Sequence, residues 1–254
     1  MAASAHQRPA VAKSASPRAF PIMEIFGPTI QGEGPDAGRP AYFVRFGGCD
    51  YRCSWCDSLY AVDPHLVKAE SRRLTTGAIV AELASLEEGP AMAVLTGGNP
   101  AIFELADLVS LLHRRRMDVS VETQGSVWRD WLNDVDRLVV SPKGPSSDMD
   151  TPAHRAQFGA FMDLAIANPS LVLKVVVFDE RDLEWAELLA STFTGVPFFV
   201  SAGTDVDAPA DETLERLAGR YRWLCESVAR SRALAYARVL PQLHVVAWGM
   251  VRGV

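Results

Sequence analysis

Short apolar runs rich in β-branched residues alternate with amphipathic segments along the chain from Met23 onward. This alternation predicts repeated βα units around a largely parallel sheet, because buried parallel strands are apolar throughout and surface helices are apolar on one face. The expected strands cover 23–26, 42–46, 91–95, 119–122, 138–140, 171–177, 197–200 and 235–239. The expected helices cover 76–86, 101–115, 152–166, 181–192 and 212–231.

Residues 1–21 do not share this alternation. They are rich in Ala, Ser and Pro and contain no acidic residue, so we expect a disordered leader there. Residues 22–254 are then expected to form a single α/β domain. Periodicity alone does not distinguish an open doubly wound sheet from a complete or partial barrel.

The composition excludes several classes of protein. The chain has 254 residues, 48% of them hydrophobic, and a net charge of -6. A chain with this acidic balance has no basic field for a nucleic-acid backbone or an anionic membrane surface. No apolar run approaches the length of about 18 residues that a membrane span needs. We therefore expect a cytoplasmic protein without nucleic-acid or membrane partners.

Three of the four cysteines lie within eight residues, directly after an expected strand. Cys49, Cys53 and Cys56 follow two glycines, so the backbone there can curl and direct three thiolates inward. A structural zinc site normally has four protein ligands, whereas an iron–sulfur cluster held by three cysteines keeps one iron open. The alternatives are unrelated buried thiols or a zinc site completed by His65. Cys225 lies in the expected last helix and is interpreted as a packing residue.

Three further segments follow expected strands at the sheet edge where α/β folds gather their sites: 96–100, 122–125 and 141–143. Glycines in the first segment allow a ligand to approach the backbone closely. Glu122 can accept hydrogen bonds from a ribose or an ammonium group, and Lys143 can pair with a carboxylate. The alternative for each charge is a solvated loop position.

Lys174 interrupts the otherwise apolar run 171–177, which predicts a strand buried on both faces. A buried lysine needs a partner for its charge. It is therefore expected either in a structural ion pair or in a cavity, directed towards an anionic ligand.

The spacing Cys49-x3-Cys53-x2-Cys56, with Trp55 before the last cysteine, resembles the signature of the radical S-adenosylmethionine (SAM) superfamily. The resemblance implies a modified or partial (β/α) barrel of the α/β class. It also implies a [4Fe-4S] cluster whose open iron is chelated by the amino and carboxylate groups of SAM. One electron then cleaves SAM to methionine and a 5′-deoxyadenosyl radical, which the protein must keep from water and oxygen.

Segments on either side of the cysteines narrow the resemblance. Ile30-Gln31-Gly32-Glu33-Gly34, Cys56-Asp57-Ser58 and the closing Gln242-Leu243-His244 resemble the 7-carboxy-7-deazaguanine synthase family. That family converts 6-carboxy-5,6,7,8-tetrahydropterin to 7-carboxy-7-deazaguanine by hydrogen abstraction and ring contraction with loss of ammonia, and regenerates SAM. The resemblance further implies a low-potential electron donor such as flavodoxin or ferredoxin, and a homodimer.

The same resemblance implies roles for individual positions. Cys49, Cys53 and Cys56 would hold the cluster, and Ser58 would bind Mg²⁺. The SAM site would consist of Trp55, Gly98, Asn99, Glu122, Ser141, Pro142 and Lys143. The substrate would contact Ile30, Gln31, Gly32, Glu33, Arg45, Thr96, Lys174, Gln242, His244 and the terminal carboxylate of Val254. The residue types suit a pterin, because a guanidinium binds its carboxylate in bidentate fashion and a carboxylate binds its guanidine-like edge.

Some positions depart from the family pattern. Asn99 stands in a Gly-Gly-Asn-Pro segment where the family usually has Gly-Gly-Glu-Pro, so a neutral amide replaces the carboxylate expected near the SAM ammonium group. Asn99 can still accept a hydrogen bond, but the charge-assisted contact is lost. Gln124 replaces an asparagine, and Ser58 stands where threonine is commoner.

Two other functions remain open from the residues alone. An activase that generates a glycyl radical on a partner protein has the same cysteine spacing. A non-catalytic interaction domain stabilised by zinc would also use clustered cysteines.

Overall fold

Parallel strands joined by helices form most of the described part of the chain. The computed structural model describes residues 18–254, which include nine strands and seven α-helices. The strands are β1 (Ala19–Ile30), β2 (Pro40–Phe46), β3 (Arg72–Thr75), β4 (Met92–Gly97), β5 (Asp118–Thr123), β6 (Arg137–Val140), β7 (Leu171–Val177), β8 (Phe198–Ala202) and β9 (Arg238–Leu240). The helices are α1 (Pro64–Glu70), α2 (Thr76–Leu83), α3 (Ala106–Arg114), α4 (Pro152–Ala165), α5 (Glu180–Thr192), α6 (Thr213–Arg230) and α7 (Leu243–Trp248).

All nine strands belong to one sheet, in the order β3-β1-β2-β4-β5-β6-β7-β8-β9. Strand β2 and strands β4 to β9 are parallel and follow one another in chain order. Strand β1 is antiparallel to both of its neighbours. The parallel strands lack the reversal of strand order that a doubly wound sheet has, and the edge strands β3 and β9 do not pair with each other, so this arrangement confirms the α/β expectation in its partial-barrel form.

The boundaries differ from the expectations at several points. Ala19–Pro21, expected in the leader, belong to β1, while residues 1–17 of that leader lie outside the described residues. Helix α3 begins at Ala106 rather than at residue 101, because a short 3-10 turn covers Pro100–Ile102. The asparagine before that turn caps it by accepting a hydrogen bond from the amide of Ala101.

Side chains of the parallel strands alternate between two faces of the sheet. In β7, Leu173 and Val175 belong to the main hydrophobic core that the helices cover, while Lys174 between them faces the other side. The same alternation in β2 buries Val44 in the core and turns Arg45 inward. The run 171–177 is therefore buried on both faces, as expected, but its inner face borders a cavity.

No helix within residues 18–254 is long and apolar enough to span a membrane.

Replacing Leu173 by alanine tests the core beneath the sheet. Leu173 has no exposed surface, so its truncation leaves a cavity between β7 and the covering helices. We expect Leu173→Ala to lower the free energy of unfolding by about 2–5 kcal/mol, measured by urea denaturation. Leu188→Ala in α5 is the matched control, because Leu188 is 60% exposed and should cost less than about 0.5 kcal/mol. Equal losses in the two variants would contradict this description of the core.

Candidate active site

A cavity of about 490 Å³ lies at the carboxyl ends of the parallel strands. Its wall combines inward-facing strand residues with three other segments: residues 30–33, the cysteine loop and the tail 249–254. The residues expected from the sequence that line it are Ile30, Gln31, Gly32, Glu33, Arg45, Cys49, Cys53, Trp55, Cys56, Ser58, Thr96, Gly98, Glu122, Ser141, Lys143, Lys174, Gln242, His244 and Val254. The fold thus brings together positions that lie up to 224 residues apart, from Ile30 to Val254.

Close backbone packing places the cysteine loop against the turn after β4. The amide of Gly98 donates to the carbonyl of Phe46 at 3.0 Å, and the amide of Asn99 donates to that of Gly48 at 2.8 Å. A Cβ atom at position 98 would lie 2.1 Å from the Gly48 carbonyl oxygen. Glycine is therefore required at position 98 for the cysteine loop to approach the strand end.

The loop is held on its other side by residues 146–147. The amide of Ser54 donates to the carbonyl of Ser147 at 3.1 Å, and the indole N–H of Trp55 donates to Ser146 Oγ at 2.9 Å. The Trp55 ring packs on Phe178 with centroids 5.0 Å apart, and Lys143 Nζ lies 5.4 Å from the Trp55 ring centroid. Lys143 therefore stands beside the cysteine loop.

The three thiols of the loop are free and partly buried, and all three line the cavity. Burial raises the pKa of each thiol, to about 11 for Cys56. Thiolate ligation here needs a strongly cationic metal group to offset that cost.

Three cysteine thiols are a donor set that fits a cubic iron–sulfur cluster with one open iron. Within residues 18–254, no group of three or more His, Cys, Asp or Glu side chains is arranged to hold one metal ion. Cysteines that ligate a cubic cluster bind different irons and so need not converge on one point. His65 is exposed on α1 and does not line the cavity, so the structure does not assemble the zinc site with His65 that the sequence left open.

Lys174 connects two carboxylates inside the cavity. Its Nζ contacts Glu33 Oε2 directly and lies 3.2 Å from Glu122 Oε2. Gln31 Nε2 donates to the other oxygen of Glu122 at 2.9 Å, and Gln242 Nε2 donates to the other oxygen of Glu33 at 2.5 Å. Both alternatives expected for Lys174 therefore hold in part: it lines the cavity, but its charge is already matched by two carboxylates.

The charges of this network are set by burial and by their partners. Burial raises the pKa of Glu33, but Lys174 and His244 outweigh it and hold that pKa well below its ordinary value. Burial lowers the pKa of Lys174, but Glu122 and Glu33 outweigh it and raise that pKa above its ordinary value. Glu33 and Lys174 are therefore both ionised at neutral pH, although Lys174 is only 3% exposed.

Close packing also joins the segment 30–33 to helix α7. The amide of Leu243 donates to the carbonyl of Gly32 at 3.0 Å. A Cβ atom at position 32 would lie 2.2 Å from His244 Nδ1, so a side chain there would displace the imidazole. The Thr204 hydroxyl donates to Gln242 Oε1 from the end of β8.

Arg45 is oriented by a second polar network. Its Nε donates to Glu24 Oε1 at 2.6 Å, and the Tyr60 hydroxyl donates to the same oxygen at 2.7 Å. Its Nη1 lies 3.3 Å from Ser58 Oγ, which in turn donates to Asp57 at 2.9 Å. Burial raises the pKa of Glu24, but the contacts from Tyr60 and Arg45 outweigh it and lower that pKa.

The tail reaches this second network through Arg252. Its guanidinium carbon lies 3.6 Å from the centroid of the Tyr60 ring, and its Nε donates to Glu24 Oε2 at 3.1 Å. A further bond of 3.2 Å joins it to Glu70 in α1. The tail is therefore attached over the Arg45 side of the cavity.

Two expected SAM-site residues do not line the cavity. Asn99 has no exposed surface, and its side-chain oxygen accepts hydrogen bonds from the Thr123 hydroxyl at 2.8 Å and the amide of Ala101 at 3.2 Å. It therefore cannot offer that oxygen to a ligand, contrary to the expectation. Pro142 is buried between Ser141 and Lys143, and only these two neighbours reach the cavity.

Several lining residues were not predicted from the sequence. Among them are Tyr60, Thr204 and Arg252, which hold the two polar networks in place. Thr204 follows an expected strand at the same sheet edge as the predicted segments. It could therefore have been predicted from the rule that α/β folds gather site residues at the carboxyl ends of their strands. Nothing in the local sequence distinguishes Tyr60 or Arg252 from ordinary surface residues.

Known proteins resemble this chain over nearly its full length, although no protein-family model matches it. It is 40% identical to the 7-carboxy-7-deazaguanine synthase of Bacillus cereus over 239 residues, covering 92% of this chain and 99% of that protein. It is also 40% identical to the enzyme of that name from Bacillus subtilis over 243 residues, covering 93% and 99%. The corresponding enzyme of Pyrobaculum aerophilum is 32% identical over 244 residues, covering 94% and 99%.

A solved structure shares the fold. The crystal structure of QueE from Escherichia coli matches with a TM-score of 0.64 and 22% identity, covering 89% of this chain and 95% of that one. This agreement extends to the partial-barrel arrangement of the sheet and supports the expected fold class.

Removing the lysine charge tests the buried network. Lys174→Met leaves Glu33 and Glu122 without their cation, so we expect a loss of about 3–5 kcal/mol in the free energy of unfolding at pH 8. In this variant burial still raises the pKa of Glu33, and the ammonium group of Lys174 no longer lowers it. Protonation of Glu33 near pH 5 should therefore restore part of the lost free energy of unfolding. Urea denaturation of wild type and variant at the two pH values measures this difference.

The wild type should show little change over the same range. Because the pKa of Glu33 is lowered, its contribution to stability is complete above the ordinary carboxyl value and is lost only as pH falls through the lowered one. Because the pKa of Lys174 is raised, its contribution is complete below the ordinary lysine value and is lost only as pH rises through the raised one. Lys174→Arg is the control that keeps the charge. An equal loss for Lys174→Met at both pH values would contradict an ionic role.

Proposed function

The chain belongs to the 7-carboxy-7-deazaguanine synthase family of radical SAM enzymes, and on that premise we propose that its cavity converts 6-carboxy-5,6,7,8-tetrahydropterin to 7-carboxy-7-deazaguanine. The observation that carries this proposal is one cavity lined by three free thiols on one wall and by Arg45 and Glu33 on the others. The three thiols suit an iron–sulfur cluster and SAM. Arg45 and Glu33 suit the carboxylate and the guanidine-like edge of a pterin. Family membership favours this reaction over the activation of a partner protein.

In this proposal the cysteine wall holds the cofactors. Cys49, Cys53 and Cys56 bind a [4Fe-4S] cluster, whose chemistry with SAM supplies the radical that removes a hydrogen atom from the substrate. The backbone at Gly98 lies close to the loop, so a ligand can approach it without meeting a side chain. Lys143 is the cation beside the loop and binds the carboxylate of SAM.

Other lining residues complete the proposed SAM site. Glu122 accepts hydrogen bonds from the ribose, since Lys174 and Gln31 hold its carboxylate in place. Trp55 and Ser141 border the same wall, where Lys143 Nζ lies 3.2 Å from the Ser141 hydroxyl. These contacts orient the adenosyl group relative to the substrate, which is the positioning work that such chemistry requires.

The opposite wall binds the pterin. Arg45 pairs with the substrate carboxylate, because Glu24 already fixes the Nε side of its guanidinium. Glu33 accepts from the guanidine-like edge, and its ionised state is secured by Lys174. Gln242 and His244 border the same position from α7.

The remaining predicted substrate contacts surround this position. They are Ile30, Gln31, Gly32, Thr96 and Val254, all of which line the cavity. Lys174 is reassigned within the proposal: it positions Glu33 and Glu122 rather than binding an anionic ligand itself.

We place Mg²⁺ at Ser58. The Ser58 hydroxyl lies 2.9 Å from Asp57 Oδ1 and 3.3 Å from Arg45 Nη1, so oxygen donors stand next to the carboxylate-binding guanidinium. A hard cation that takes oxygen ligands and keeps open positions suits a bridge between this hydroxyl and a substrate carboxylate.

The wall near Arg45 also excludes water. Phe26 and Phe43 stack with centroids 5.0 Å apart, and Tyr60 lies beneath the guanidinium of Arg252. Exclusion of water protects reactive species and strengthens the ionic contacts inside. A low-potential electron donor such as flavodoxin or ferredoxin, and assembly as a homodimer, remain predictions from the family resemblance.

Turnover tests the proposal directly. Protein reconstituted without oxygen with iron and sulfide, and supplied with SAM, Mg²⁺, a reductant and 6-carboxy-5,6,7,8-tetrahydropterin, should form 7-carboxy-7-deazaguanine, detected by mass spectrometry. SAM should be recovered rather than consumed in proportion to product. A cluster-loaded protein that forms no deazapurine would overturn the proposed function.

Arg45→Lys tests the assigned substrate carboxylate contact. Lysine keeps the positive charge but loses the planar, bidentate donor pair, so we expect the KM for the pterin to rise about tenfold or more. The Kd for SAM should stay at its wild-type value, because Arg45 belongs to the other wall. A change confined to SAM binding would contradict this assignment.

A further inference from the structure

Glu24 on β1 accepts hydrogen bonds from three side chains through two different oxygens. Its Oε1 accepts from Arg45 Nε at 2.6 Å and from the Tyr60 hydroxyl at 2.7 Å. Its Oε2 accepts from Arg252 Nε at 3.1 Å. Because the side chain of Glu24 is only 14% exposed, a partly buried carboxylate lies between an arginine of the cavity wall and an arginine of the tail.

This division of one carboxylate between two arginines differs from another ion pair of the chain. Asp150 gives one oxygen to Nε of Arg155 at 2.6 Å and the other to Nη2 at 2.5 Å. Such two-point pairing is the geometry that a carboxylate and a guanidinium prefer. Within residues 18–254, Glu24 and Arg45 share only the bond at Nε. The second oxygen of Glu24 is bonded to Arg252 instead.

The single bond to Glu24 leaves part of the Arg45 guanidinium without a charged partner. Nη1 of Arg45 lies 3.3 Å from Ser58 Oγ, and Nη2 makes no hydrogen bond to any residue that the structure describes, 18–254. A carboxylate ligand binds a guanidinium best at two N–H groups. If Glu24 occupied both Nε and Nη2, as Asp150 does on Arg155, fewer donors would be left for such a ligand.

Arg252 is held beside Glu24 by two further contacts. Its guanidinium carbon lies 3.6 Å from the centroid of the Tyr60 ring, and its Nη1 donates to Glu70 Oε2 at 3.2 Å. Arg252 also lines the cavity, although its side chain is 43% exposed. The three contacts together keep this guanidinium at the cavity, on the side of Glu24 that faces away from Arg45.

We propose that Arg252 is a positioning residue for the substrate: it holds Glu24 out of a two-point pair with Arg45 and so keeps Arg45 available to the pterin carboxylate. The inference rests on the proposed function, in which Arg45 binds that carboxylate. Arg252 acts through Glu24 and not by touching the substrate. Without Arg252, the second oxygen of Glu24 has no cation of its own and turns to Nη2 of Arg45. The substrate carboxylate must then compete with Glu24 for the same donors.

The experiment compares two ligands that differ in the carboxylate. Equilibrium dialysis without oxygen and without reductant measures the Kd of 6-carboxy-5,6,7,8-tetrahydropterin and of 5,6,7,8-tetrahydropterin for the cluster-loaded protein with SAM bound. Arg252→Met keeps an unbranched side chain over Tyr60 and removes the charge. We expect it to weaken the carboxylated ligand about tenfold and to leave the Kd of tetrahydropterin unchanged. In turnover, the KM for the carboxylated pterin should rise while kcat stays at its wild-type value.

Two variants separate this role from attachment of the tail. Glu70→Gln removes the charge of the other carboxylate that Arg252 contacts and leaves the bond to Glu24 in place. It should bind the carboxylated pterin within about twofold of the wild type, because exposed ion pairs contribute little. Arg252→Lys retains a cation beside Glu24 and should recover part of the affinity lost in Arg252→Met. Iron content per chain is measured for each variant, and affinities are compared per loaded cluster.

A double variant tests whether Arg252 acts through Glu24. Glu24→Gln leaves a neutral amide that cannot form a two-point ionic pair with Arg45. Adding Arg252→Met to Glu24→Gln should therefore cause little further loss of affinity for the carboxylated pterin. Losses that add in full would contradict the proposed route through Glu24.

The outcomes distinguish the inference from the function beneath it. Wild-type affinity for the carboxylated pterin in Arg252→Met would overturn the role of Arg252, as would an equal loss of tetrahydropterin or an equal loss in Glu70→Gln. None of these results would affect the proposed reaction. A wild-type protein that binds both pterins equally tightly would instead contradict the proposed carboxylate contact at Arg45, and with it the inference.

Discussion

The ion pairs of Lys174 join the two halves of the cavity. A lysine on the inner face of β7 requires neutralisation, and the fold supplies Glu33 from the segment after β1 and Glu122 from β5. Each carboxylate is then held at its second oxygen by a glutamine, Gln242 for Glu33 and Gln31 for Glu122. One buried cation thereby fixes the orientation of a residue proposed for the substrate and of a residue proposed for SAM. The positions of the two ligands are consequently linked through a single side chain.

Four basic side chains and three acidic ones line the cavity, in a chain whose net charge is -6. The three cations expected there, Arg45, Lys143 and Lys174, all line it. They differ in their partners, however. Lys174 contacts two carboxylates and Arg45 contacts Glu24, whereas the contacts of Lys143 within the described residues are a hydroxyl and an aromatic ring. Of these three cations, Lys143 alone has no carboxylate partner among the described residues. It is therefore the one best able to pair with an anionic ligand.

Local pattern in the sequence was sufficient to predict eight of the nine described strands, whereas most of the candidate site residues came from the resemblance to a known family. Each expected strand has a counterpart, and the ligand-bearing segments follow strands at one edge, where parallel topology brings them together. Strand β3 was not predicted because Arg72–Thr75 is polar and pairs only at the sheet edge. Helices α1 and α7 were not predicted because a helix of six or seven residues shows little periodicity.

Other features depend on contacts that no local pattern contains. The bond between Gln31 and Glu122 joins residues 91 positions apart, and that between Arg252 and Glu24 joins residues 228 apart. The position of Asn99 illustrates the same limit. Its family motif suggested a ligand contact, but Thr123 and Ala101 both donate to its side-chain oxygen. Motif comparison identifies the position, and the surrounding contacts determine which atom can meet a ligand.

The central claim is that one cavity holds the cluster, SAM and the pterin side by side. A crystal structure of the cluster-loaded protein with SAM and 6-carboxy-5,6,7,8-tetrahydropterin, grown without oxygen, measures this most directly. The account predicts one iron–sulfur cluster on Cys49, Cys53 and Cys56, with the pterin carboxylate at Arg45 and its guanidine-like edge at Glu33. A pterin bound outside the cavity, or a single metal ion held by the three cysteines, would contradict it.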